Sequence, residues 1–191
     1  SNGLDNRNKG TLSSRDGDVS VAVSGAVLNS GEGAIVSRKN LNLNAASLDN
    51  SNGGVVSSGG DQTLTVGGLL NNTQGGLIDS GSALVIQAMT LGNAGGTVNA
   101  QQDLGFTGTT LDNTGGNLVG NAAVTLDVLG VLTNTNGKLA SVGPLRVQRS
   151  TQIDNQGGQL VSQGLMTLLT GGLDNRNRGT VAANDLLTIT T

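Results

Sequence analysis

The groups with the makings of acid–base chemistry in this 191-residue chain are thirteen acidic side chains, of which Glu32 is the single glutamate. There is no His and no Cys, so imidazole and thiol catalysts are unavailable and no zinc ligand set can be assembled. Paired carboxylates can still hydrolyse glycosidic bonds when they face each other across about 5 Å or more. Asp5, Asp49, Asp112, Asp154 and Asp174 each follow an aliphatic residue in a recurring phrase. Only Asp154 and Asp174 fall on neighbouring copies of it. The competing role for such an Asp is an Asx-turn cap on local backbone. No aromatic set lines a sugar groove, because Phe106 is the one aromatic residue. The chain therefore reads as no enzyme, with carbohydrate-active chemistry the third reading.

Other sites fare no better. A calcium β-roll needs G-G-x-G-x-D repeats, which do not occur. Gly-Gly pairs such as Gly53-Gly54 precede no Lys-Ser/Thr and read as turns rather than phosphate loops. No cofactor and no metal are expected. A net charge of −3 with ten Lys and Arg, and no stacking aromatics, argues against nucleic acid. Arg7, Lys9, Arg176 and Arg178 form small basic spots near the two ends. Arg146 and Arg149, with Pro144, set one repeat apart from its neighbours and mark a candidate surface contact. The chain opens at Ser1 without a start Met and reads as a piece excised from a longer array, with residues 1–191 a single repeat domain.

The elements that hold these residues come from the repeat. An aliphatic residue, Asp or Asn, then Asn recurs at Leu4, Leu48, Leu70, Leu111, Ile153 and Leu173, with weaker copies at Leu28, Leu91 and Leu132. The nine anchors lie 20 to 24 residues apart. Asn6, Asn50, Asn72, Asn93, Asn113, Asn134, Asn155 and Asn175 fill one column of the alignment, with Ser30 as its exception. Turn glycines follow at Gly10, Gly33, Gly53, Gly75, Gly96, Gly116, Gly137, Gly158 and Gly179. They are read as positions needing positive φ. The interval from Leu4 to Leu28 is the longest, and Gly59-Gly60-Asp61-Gln62 reads as a lengthened turn before Leu64.

Within a repeat the aliphatic period is two. Pairs such as Leu41/Leu43, Leu64/Val66, Leu84/Ile86, Leu104/Phe106 and Val124/Leu126 alternate with polar residues, which is the pattern of a half-buried strand. Units of about 21 residues cannot bury a face alone and must stack. A coil that returns to its start sets like residue above like. The expected fold is all-β: a right-handed parallel β-helix, or solenoid, of about nine coils. At about 4.8 Å per coil it is a rod of roughly 40 Å. Leu, Val and Ile stack inward, and the Asn column forms an amide ladder.

A repeat reading L-D-N-x-x-G-x-L-x-S-x-x-x-L-x-L, from Leu4 to Ile189, resembles the repeats of filamentous haemagglutinins. These are large exoproteins of two-partner secretion in Gram-negative bacteria and include contact-dependent inhibition toxins. The resemblance implies a right-handed parallel β-helix and a secreted or cell-surface location. It also implies export through an outer-membrane two-partner secretion transporter. The leading expectation is a shaft segment that projects distal adhesive or toxin domains. The alternative is an adhesin module that itself binds a host or bacterial cell-surface glycan or receptor. End-to-end self-association of the fragment is expected from its stacked ends.

Overall fold

A computed structural model describes residues 2–191. Each coil lays down strands in two sheets, and every strand pairing is parallel. One sheet stacks nine four-residue strands from Thr11–Ser14 to Thr180–Ala183. The other is sixteen-stranded and bends around a corner. Two coils run through that corner as single strands, Gln62–Asn71 and Leu84–Gly92. Others break there, as between Leu104–Gly108 and Thr110–Asp112. The architecture is a parallel β-solenoid of nine turns, as the repeat implies.

Alternation puts every second side chain inside. Leu43, Leu64, Ile86, Phe106, Leu126, Val147 and Leu168 form one inward column, each within 2 % of full burial. Ile35, Val56, Ile78, Val98, Leu118, Leu139 and Leu160 line the opposite wall and are wholly buried. Phe106 fits because its neighbours give it room. A Cβ at Gly108 would come 2.6 Å from the Phe106 ring, and Ala88 stands beside Gly108 on the preceding coil. The lumen accepts one aromatic where two small residues adjoin it.

The structure corrects the expected register at three places. In the second coil the anchor is Val27, which pairs with Leu4 and Leu48, while Leu28 faces outward beside Asp49. Adjacent aliphatics at 27 and 28 hide which one points inward. In the third coil Leu64 stacks on Leu43 and Ile86, and Val66 on Ala45 and Ala88. The place beside Leu41 and Leu84 belongs to Gln62, so Gly59–Gln62 is no lengthened turn. The extra residue of that coil sits at the corner, where Gly67 and Gly68 relax the chain between Val66 and Leu69. A count of aliphatic residues cannot see a glutamine in the lumen.

The turn glycines are the third correction. Gly54 and Gly76, rather than Gly53 and Gly75, continue the column of Gly33, Gly96 and the others. Of the nine expected glycines only Gly53 and Gly75 have positive φ. In all nine turns the residue before the column glycine is left-handed (Lys9, Glu32, Gly53, Gly75, Gly95, Gly115, Asn136, Gly157 and Arg178), and in five of them the residue before that is too: Asn8, Gly31, Asn52, Gln74 and Asn177. The column needs glycine for space. A Cβ at Gly76 would lie 2.6 Å from the Asn72 side-chain oxygen and closer still to the Asn50 carbonyl one coil away.

Candidate functional site

The Asn column is the most extended polar feature of the molecule. Each side-chain N–H donates to the side-chain oxygen of the next coil, in the order Asn6, Asn29, Asn50, Asn72, Asn93, Asn113, Asn134, Asn155, Asn175. The separations are all 2.7–2.8 Å. Asn29, rather than Ser30, fills the second place, so the column has no exception. The same nitrogens reach the backbone of the next coil, as Asn113 does to the Lys138 carbonyl at 3.0 Å. From Asn29 to Asn155 the side chains are completely buried. They face the wall of the coil and leave nothing for an external glycan to read. Each amide ties its own turn to the next, which is why the turn glycine beside it must lack a side chain.

The roles of two further polar columns were not legible in the sequence, although the serine of the first belongs to the repeat motif. Ser37, Ser58, Ser80, Ser141 and Ser162 are buried at the next corner. Their hydroxyls donate to turn carbonyls, as Ser80 does to Gly60 and Ala83 at 2.9 Å. The signal was a serine four places after the column glycine, replaced in other coils by Ala100, Gly120 and Ala183 and easily mistaken for loop. Beyond that corner Asp18, Asn40, Asp61 and Asp103 each accept a backbone N–H from the next coil at 2.9–3.2 Å.

The carboxylates of the Asp column act locally. Asp112 accepts the Thr114 backbone N–H and hydroxyl at 2.9 and 2.6 Å. Burial works to raise the Asp49 pKa. Hydrogen bonds from Ser51, Ser30 and Asn71 outweigh it and hold that carboxyl below its usual range. Asp154 and Asp174 do stand in register on adjacent coils. Asp154 caps the Gln156 N–H at 3.2 Å, and Asp174 is gripped by Arg176 at 2.7 Å. That grip lowers the Asp174 pKa through the Arg176 hydrogen bonds. Asp5 is held the same way by Arg7, down to about 2. Among the described residues no group of three acidic side chains could hold a metal ion. Chemically, this arrangement caps turns and staples coils.

Of the candidate surface residues, Arg149 is engaged. Its guanidinium forms a fork with both carboxylate oxygens of Asp127 one coil away, the outer contact at 3.0 Å. The hydrogen bond to Arg149 lowers the Asp127 pKa. A register shift after Val147 swings Arg149 onto this partner. Arg146 is exposed between Thr125 and Thr167 and makes no ion pair among the described residues. The two lie three residues apart on the strand Leu145–Arg149, both exposed.

A parallel solenoid whose coils are joined by stacked asparagines, with turn glycines packed against them, is the fold of a β-solenoid repeat protein. The haemagglutinin repeat family matches residues 2–74, 63–137 and 124–191, and the chain belongs to it. Comparison with curated proteins and with solved structures gave no match.

Proposed function

We propose that this chain is a segment of the shaft of a large, filamentous haemagglutinin-like exoprotein of a Gram-negative bacterium. In this reading the exoprotein is secreted or held at the cell surface, and the segment projects distal adhesive or toxin domains. The observation that carries the proposal is the unbroken ladder of eight amide bonds through all nine coils. A solenoid contacts only its neighbours, so cohesion is a sum of coil-to-coil terms, and buried amide bonds supply one at every step. The absence of Cys suits export of an unfolded chain through an outer-membrane two-partner transporter, since no disulfide can form before passage. Contact-dependent inhibition toxins are one kind of exoprotein such a shaft would serve.

The competing reading is that the segment adheres to a glycan or receptor itself. Flow cytometry of the labelled, folded segment on epithelial cells and on related bacteria separates the two. The shaft reading expects no saturable binding above that of a heat-unfolded sample and an unrelated β-helix. Saturable binding that free sugars or deletion of a receptor abolishes would overturn it in favour of an adhesin.

A further inference from the structure

The strongest unassigned feature is on the outward face of the nine-stranded sheet. One column of that face runs Ser13, Val36, Ser57, Asp79 and Asn99 through the first five coils. It is mostly polar there, and Asn99 donates to the Asp79 carboxylate at 2.7 Å. From the sixth coil to the ninth the column becomes Val119, Ala140, Val161 and Ala182. All four side chains point away from the lumen and none is buried. Val142, just beyond them at the corner, is 46 % exposed. Across residues 115–123, 136–144, 157–165 and 178–186 the charged side chains are Lys138, Arg178 and Asp185 alone. An apolar strip with so few charges beside it costs little to dehydrate.

The strip alternates large and small side chains, and the order is self-complementary. A second copy can lie face to face with its long axis reversed, about a two-fold between the seventh and eighth coils. The sixth coil then meets the partner's ninth, and the seventh meets its eighth. Every valine faces an alanine: Val119 meets the partner's Ala182, and Val161 meets the partner's Ala140. The neighbouring columns agree. Lys138 meets the partner's Gln159, whose amide oxygen can accept from it, and Arg178 meets the partner's Gly115. No like charges face each other. Copies with parallel axes would instead set valine against valine and alanine against alanine.

We infer that the strip Val119, Ala140, Val161 and Ala182 is a self-pairing face that takes a second copy of this chain running in the opposite direction. The two ladders interdigitate as a dry zipper, with the sheets about 10 Å apart. From turn to corner the paired area is on the order of 400 Å² per copy, from strand rise and spacing. A standard stable interface buries about 800 Å² per partner, so one segment pairs weakly and reversibly. The contact lies across the flank and is independent of reach along the axis and of stacking at the ends.

Because the chain has no Cys, introduced cysteines report position. Val119→Cys and Ala182→Cys proteins are mixed at millimolar concentration and treated with a short bis-maleimide. The 119–182 product should exceed either same-site product roughly fivefold or more. Facing residues are about 10 Å apart, whereas the two copies of residue 119 stand about 17 Å apart, three coils out of line. Sedimentation equilibrium of the unmodified chain follows the pairing itself. Ala140→Val sets valine against the partner's Val161 and should weaken pairing about threefold by overfilling, although it adds apolar surface. Adding Val161→Ala puts large against small again and should restore the affinity. Val161→Lys should abolish pairing, and Val36→Lys, in the same column but outside the strip, should leave it unchanged. These positions all face outward, and melting temperature checks that each variant keeps the fold. The assignment fails if the chain stays monomeric at millimolar concentration or if same-site products match the 119–182 product. It fails too if Val36→Lys weakens pairing as much as Val161→Lys. Tighter pairing by Ala140→Val would also overturn it, since that is general stickiness rather than a fitted face.

Discussion

Truncating one amide in the middle of the ladder should cost far more than truncating the same residue type at its end. Asn113 is fully buried. Its nitrogen donates to the Asn134 side-chain oxygen at 2.7 Å, the Lys138 carbonyl at 3.0 Å and the Gly116 carbonyl at 3.2 Å. Its oxygen accepts from Asn93 at 2.7 Å. In Asn113→Ala, Asn93 keeps its bond to the Asn117 carbonyl at 3.0 Å, but the Asn134 oxygen loses its donor. The two ladder bonds lost, at about 0.5–1.5 kcal/mol each, plus about 1–3 kcal/mol for the orphaned oxygen, sum to about 2–6 kcal/mol. Asn175 is exposed and donates only to the Gly179 carbonyl of its own turn at 2.9 Å. Water can replace what Asn175→Ala removes, so its cost should be about 1 kcal/mol. Urea unfolding followed by far-UV circular dichroism measures both, with the slope compared to check that the array still unfolds as a unit. Costs for the two variants within about 0.5 kcal/mol of each other would refute the reasoning, since the energy would then not reside in buried amide stacking. Asn113→Asp adds a sign. A buried carboxylate facing the Asn134 oxygen and the Lys138 carbonyl has its pKa raised, so the folded variant binds its proton more tightly than the unfolded chain. Its deficit against the parent chain should narrow as pH falls from about 7 towards about 4.

Gln62→Leu should stabilise the protein. Gln62 is 1 % exposed in an aliphatic column, its side-chain oxygen has no partner, and its nitrogen reaches the Val56 carbonyl only at 3.4 Å. Relieving that desolvation is worth about 1–2 kcal/mol, a rise of roughly 2–8 °C in melting temperature; an unchanged or lower melting point would contradict it. Gly96→Ala and Gly95→Ala should differ sharply in the same assay. A Cβ at Gly96 would lie 2.6 Å from the Asn93 side-chain oxygen and nearer still to the Asn72 carbonyl, costing about 3 kcal/mol. A Cβ at Gly95 meets nothing within 4 Å and suffers only its φ of +64°, about 1–2 kcal/mol. Stability should be flat from about pH 5 to about pH 8, because there is no His. The carboxylates of Asp5, Asp49, Asp61, Asp127 and Asp174 are all held below their usual pKa. Their contribution is present above the unfolded value of about 3.9 and is lost as pH falls through the lower folded values. A melting-temperature profile that shows its main fall below about pH 4 agrees with this, and a step near neutrality does not.

The sequence displays the solenoid because the fold repeats itself. An inward position must be filled nine times, so Leu48, Leu70, Leu91 and Leu111 betray the column even where one copy is atypical. The amide ladder was legible for the same reason, since every step needs a side chain that donates to one neighbour and accepts from the other. Register errors arose where one coil departs from the pattern. Val27 and Leu28 are equally apolar, and only the parallel pairing decides between them. Gln62 took an inward place that hydrophobicity assigns to a leucine. The glycine column was legible, but its reason was not. Crowding against the neighbouring coil's Asn carbonyl is a contact between residues some twenty positions apart, while φ is a local property. The serine of the repeat was visible, but its role at Ser37, Ser58 and Ser80 stayed hidden, because a buried serine donating to a turn carbonyl looks, in sequence, like loop. The same holds for Val119 and Ala140, whose flanking residues differ and whose stacking appears only once Leu118 is set above Leu139.

The central claim, that these coils act as a spacer, is tested most directly by adding more of them to the full-length exoprotein. Residues 30–155 span six coils from one ladder asparagine to another, so tandem copies rejoin in register. Three extra copies should lengthen the fibre by about 85 Å in electron micrographs, at about 4.8 Å per coil, while cell binding per fibre stays constant. Fibres of unchanged length, or binding that climbs with copy number, would contradict the account.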